Sequence, residues 1–129
     1  MAIRSTLNFQ TQYEPSFDVE LYIQKAAQFN NIQEGLFELT FVDDTFMKQL
    51  HKTHFNDDSS TDIITFNLNT PEVPEADIYI CINEASKQAE LLNSSLEDEI
   101  KTLIIHGILH CLGFTDLVDK EKDIMFKQQ

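Results

Sequence analysis

The sequence predicts an α+β domain, a mixed α/β layer in which about four strands form a mixed sheet carrying helices. Three observations predict it. Apolar and polar residues alternate in some segments, as in Phe37, Leu39 and Phe41 against Glu38 and Thr40. Elsewhere apolar residues recur three and four apart, as in Val19, Tyr22, Ile23 and Ala26. Three Gly and three Pro in 129 residues leave little room for long irregular connections.

Element by element, Ile3, Leu7 and Phe9 suggest a first strand with imperfect alternation. The helix carrying Val19 to Ala26 follows Pro15 and Ser16. After the Phe37–Phe41 strand, Asp43 or Asp44 can cap a helix with Met47, Leu50 and His54 on one face. Ile63-Ile64-Thr65-Phe66 reads as a strand behind the polar turn Asn56 to Ser60. Ile78 to Ile82 reads as another, behind the Pro71/Pro74 loop. Asn83 then opens a helix to about Leu92. Ser94 with Glu97, or Ser95 with Asp98, makes a capping box for the next helix. That helix runs to about Leu112, where Gly113 is a natural stop. Asp119 to Phe126 predicts a final short helix, and the order is β, α, β, α, β, β, α, α, α.

Composition bounds the function. Residues 1–129 suit one domain, and 42% hydrophobic content with ten Phe can fill a core without disulfides. The longest uncharged stretch, Thr102 to Thr115, falls short of the roughly 20 apolar residues of a membrane-spanning helix. The N-terminal MAIRSTLNFQ lacks the apolar centre of a signal peptide. Cys81 and Cys111 stand singly in apolar segments and read as buried free thiols, so a cytoplasmic location is expected. A net charge of −13, with Arg4 as the only arginine, argues against broad electrostatic capture of nucleic acid. Neither DNA nor a membrane is expected as a partner. A polyanionic substrate would need a local positive site, which a bound divalent metal could supply.

The chemistry concentrates in residues 104–116. His106 and His110, four apart on a helix, present two imidazoles on one face, the spacing by which one helix ligates one metal. Gly113 ends the helix, and Asp116, three residues on, can fold a carboxylate back toward the same point. Two His and one carboxylate leave an open position, the pattern of catalytic rather than structural zinc. Taken alone, the spacing fits equally well two core histidines held by hydrogen bonds. Gly107 serves either close packing of the helix or room for substrate. His51 and His54 form a second pair, near Asp57 and Asp58, and read as surface histidines with His54 partly packed. A zinc peptidase is disfavoured, because such enzymes carry Glu directly after the first His and this chain has Gly107 there.

His106-Gly107-Ile108-Leu109-His110-Cys111-Leu112-Gly113-Phe114 resembles the H-G-x-L-H-x-x-G-[YF]-D-H signature of the YbeY-type rRNA maturation factors, metal-dependent endoribonucleases. Glu121 and Met125 fit spacings found further on in that family. Ser60 to Phe66 is similar to its P-T-D-V-L-S-F strand, and Ala76-Asp77-Ile78 to its G-D-I strand start. The likeness spans about residues 45 to 126. It departs in three places: Asp116 stands where relatives carry a third His, Thr115 where they carry Asp, and Phe55 where an arginine stands in a Y-R-G-K-D segment. A carboxylate in place of imidazole keeps a ligand but shifts preference toward harder metals. Lys48 and Lys52 remain as nearby cations.

The resemblance implies a single-strand-specific endoribonuclease acting in ribosomal RNA maturation and ribosome quality control. It implies one divalent metal, expected to be zinc, held by His106, His110 and Asp116, with RNA and the ribosomal small subunit or its proteins as partners. Asp62 and Asp77 are candidates for orienting a histidine or transferring a proton, and Thr61 has the same standing. Equally, Asp62 could make a turn bond and Asp77 could cap a strand. A non-catalytic RNA- or ribosome-binding factor with a structural metal is the alternative function.

Overall fold

The computed structural model describes residues 3–57, 59–70 and 73–112. Eight elements follow in chain order: β1 Ile3–Phe9, α1 Val19–Phe29, β2 Gly35–Val42, α2 Asp44–Phe55, β3 Ile63–Asn67, β4 Glu75–Cys81, α3 Ile82–Leu91 and α4 Leu96–Cys111. They match the expected order. The ninth expected element, Asp119 to Phe126, and the Gly113 stop lie outside the described residues.

The strands form one mixed sheet in the order β1-β2-β4-β3. β1 and β4 run parallel to β2, and β3 runs antiparallel to β4 at the sheet edge. β4 therefore pairs on both sides, and this moves its start. It begins at Glu75 rather than Ile78, because Leu36 pairs with Glu75 on one side and Asn67 with Ala76 on the other. Ladder hydrogen bonds to two neighbours hold Glu75 to Asp77 extended despite the charged side chains of Glu75 and Asp77.

The two faces of the sheet are covered differently. Phe37, Leu39, Phe41, Ala76, Ile78 and Ile80 pack with Val19, Ile23 and Ala27 of α1 and with Ile100, Ile104 and Ile108 of α4. Burying each such Phe or Ile side chain contributes roughly 1.5–3 kcal/mol. On the opposite face, Val42, Ile64 and Cys81 pack against Met47 of α2, with Phe46, Leu50, Phe66 and Tyr79 around them. The strand alternation thus sends Ile78 and Ile80 toward α4, and Asp77 and Tyr79 the other way.

Local chemistry sets the helix ends. Asp43 is the cap of α2, its carboxylate accepting from the Phe46 amide at 2.9 Å. Asp44 instead accepts from the Ser60 hydroxyl at 3.0 Å and the Cys81 thiol at 3.2 Å. α2 closes on Asn56 in the left-handed region, φ 55°, a conformation asparagine tolerates better than most residues. Ser95 caps α4 by accepting from the Asp98 amide at 3.0 Å. Both cysteines are buried free thiols. Burial pushes Cys111 up to about 12 and Cys81 up to about 11, so neither is a nucleophile near neutral pH.

Candidate metal site and substrate cleft

α4 lies against β3 and β4 because Gly107 has no side chain. A Cβ there would come within 3.1 Å of Ile78 Cδ1 and 3.4 Å of Thr65 Oγ1. Gly107 thus serves close packing between α4 and the sheet. The turns on either side of it carry His106 and His110, both half-buried, into one cleft of about 730 Å³.

The cleft wraps around the edge strand. Its floor is the continuous segment Thr61 to Leu68, its wall on one side is α4, and its wall on the other is the end of α2 with His51, His54 and Phe55. The chain has four histidines, and all four line this cleft. Sequence reasoning placed His51 and His54 on the surface. They are indeed solvent-accessible, His51 half-buried and His54 exposed, but they line the same cleft as the α4 pair. His51 Nδ1 lies 2.9 Å from the Ser59 carbonyl, and its ring is 5.3 Å from that of Phe55. The His54 ring sits 4.8 Å from Phe66.

A residue that the spacing arguments missed also reaches the metal-candidate pair. Asn67, at the end of β3, brings its Nδ2 within 3.4 Å of both His110 Nδ1 and the His110 carbonyl oxygen. A polar side chain at Nδ1 controls which imidazole nitrogen keeps a lone pair. No periodicity argument marks Asn67, since its partner lies 43 positions away.

The two aspartates separate. Asp62 lines the cleft, and its backbone carbonyl accepts from the Cys81 amide at 2.9 Å. Its charge also bears on Glu99, a buried residue of α4 whose carboxyl is pushed up first by desolvation and then by Asp62. Asp77 is not brought to the cleft. It projects from the face of β4 opposite α4, where desolvation, Glu38 and Glu75 raise its pKa. Lys48 and Lys52 do not line the cleft. Asp116, Asp58, Glu121 and Met125 lie outside the described residues. Among the described residues no third His, Cys, Asp or Glu joins the α4 pair to make a three-donor group.

Residues 5–129 match the family model described as Endoribonuclease YbeY. The chain belongs to that family. A YbeY relative from Nautilia profundicola, named Endoribonuclease YbeY, is 36% identical over 118 residues, covering 85% of each chain. Another of that name, from Christiangramia forsetii, is 30% identical over 112 residues, covering 87% of this chain and 78% of the relative. The fold is also that of a Thermotoga maritima protein solved in solution, with a TM-score of 0.58 at 22% identity over 95% of this chain and 85% of that one. Among the described residues, no helix is long and apolar enough to cross a membrane.

Proposed function

We propose that this YbeY chain, as a single domain over 1–129, is a single-strand-specific, metal-dependent endoribonuclease of ribosomal RNA maturation and ribosome quality control. In this reading it works in the cytoplasm, on or beside the ribosomal small subunit. The observation that carries the proposal is the convergence of all four histidines on one cleft of an otherwise strongly acidic chain. Membership in a family whose relatives are named endoribonucleases supplies the reaction class.

The donor chemistry fits one divalent cation, zinc by preference. His106 and His110 supply two imidazole nitrogens from adjacent turns of one helix, and Asp116 is assigned as the third donor. When bound, the ion supplies Lewis acidity toward a phosphoryl oxygen and makes a bound water more acidic. The chain's own residues do the rest. Asn67 sets the His110 tautomer, since an amide N–H donating to Nδ1 leaves the ring proton on Nε2 and an acceptor there would free Nε2 for the ion. Asp62, which lines the cleft, is assigned to accept or return a proton. The β3 floor aligns the strand, and α2 closes the far wall.

The test is elemental analysis beside RNA cleavage for wild type, His106→Ala, His110→Ala and Asp116→Ala. About one metal per wild-type chain, lost together with cleavage of single-stranded RNA in folded variants, is the expected result. Retention of cleavage without metal would refute the metal's part in the reaction. RNA binding without cleavage by the metal-loaded wild type would favour the non-catalytic factor.

A further inference from the structure

We infer that Phe55 is a stacking platform that seats one nucleobase of a single-stranded RNA at the mouth of the cleft. Phe55 is the last residue of α2, and 54% of it is exposed although it lines the cleft. Its ring is propped from within the protein. Phe66 lies nearly parallel to it, centroids 6.3 Å apart at 13°, and His51 leans on it at 5.3 Å. Phe66 is held in turn by His54 at 4.8 Å and by Tyr79 edge-on at 6.0 Å. The left-handed Asn56 then turns the chain away at the end of α2. The result is an aromatic ring in contact with Phe66 and His51 yet more than half exposed, on the same cleft as His106 and His110.

Exposed apolar side chains are common and usually need no explanation. Phe29 at 87% and Leu91 at 81% are of that kind, for neither touches the histidine cleft. Phe55 differs in its support and its position. Charge argues the same way. No Lys or Arg is among the described residues lining the cleft, and the chain carries −13. Phosphate neutralisation, the usual source of affinity for nucleic acid, is therefore scarce here. Stacking on an aromatic ring supplies roughly 1–3 kcal/mol per base without any charge on the protein. Bases inside a duplex have no free face to offer, so the same contact selects single strands.

This inference rests on the endoribonuclease reading, and the experiment separates the two. The chain contains no tryptophan, so Phe55→Trp places a single indole fluorophore at the platform. The probe is a single-stranded oligouridylate of about 10 nucleotides, with binding followed independently by anisotropy of a dye on its end. We expect the oligomer to quench the indole emission of Phe55→Trp. We expect Phe55→Leu, which keeps apolar bulk but loses the π face, to raise Kd roughly tenfold. That ratio should hold between about 50 and about 200 mM salt, because a stacking contact releases no counterions. If wild type binds and cleaves the RNA while Phe55→Trp is unquenched and Phe55→Leu keeps the wild-type Kd, the platform is overturned and the nuclease reading stands. If wild type neither binds nor cleaves single-stranded RNA, both fall.

Discussion

Gly107→Ala tests how the site is held together. The new Cβ would stand 3.1 Å from Ile78 Cδ1, 3.4 Å from Ile78 Cγ2 and 3.4 Å from Thr65 Oγ1. Relaxed carbon–carbon contacts lie at about 3.5–4.0 Å. The closest approach is therefore short by roughly half an ångström or more. Two effects oppose. Alanine in a helix interior is favoured over glycine by about 1 kcal/mol. Overpacking a filled core costs about 1–3 kcal/mol. We expect the packing cost to win, leaving Gly107→Ala less stable by roughly 1 kcal/mol. Ile78→Val removes the closest atom and alone costs about 0.5–1.5 kcal/mol. The double variant should be more stable than the sum of the singles, by on the order of 1 kcal/mol, since the methyl then finds space. Urea denaturation of the four proteins measures the cycle. Metal affinity should follow it, because α4 pushed away from β3 and β4 carries His106 and His110 with it. A Gly107→Ala protein stabilised by the full helical preference, or an additive double variant, would refute the close-packing role.

Two further outcomes follow from the geometry. Asn67→Asp should tighten metal binding by about 10- to 100-fold while leaving urea stability nearly unchanged, because a carboxylate accepts from Nδ1–H and frees Nε2 for the ion, whereas the Asn67 amide nitrogen donates to Nδ1. Asn67→Ala, which removes the donor at Nδ1, should bind metal at least as tightly as wild type, and equal affinity in all three proteins, measured by chelator competition, would remove Asn67 from the site. Glu99 gives a pH-dependent outcome. Its folded pKa is raised above the ordinary 4.5 by desolvation first and by Asp62 second, so the folded state holds that proton more tightly than the unfolded chain. The associated stability is full below about pH 4.5 and is lost as pH rises through the raised value. Glu99→Gln should therefore match wild type at low pH and exceed it in urea midpoint near neutrality, and parallel pH profiles for the two proteins would contradict the burial argument.

What was legible in the sequence follows from what each signal measures. Side-chain periodicity reports the local backbone and the buried face, so Phe37 to Phe41 and the α4 histidines could be placed from neighbours within a few residues. The start of β4 could not, because Glu75, Ala76 and Asp77 are held by backbone pairing on both sides, to the neighbouring β3 and to β2 far back in the sequence. The same limit governs the site. His51 and His54 look like surface residues of a polar helix end, and nothing nearby indicates otherwise. They line the same cleft as His106 and His110 only because β3 takes the sheet edge beyond β4, which leaves one narrow strand between α2 on one face and α4 on the other. Asp77 shows the same limit from the other side. It sits beside Ile78 in a stretch shared with the family, yet alternation places it opposite Ile78 and Ile80, away from α4. One sequence signal did point to the cleft without any topology. Four histidines in 129 residues come as two close pairs and nowhere else. A second pair at ligand-like spacing, in a chain whose first pair already suggests a metal, is better treated as the opposite wall of one site than as a solvated face.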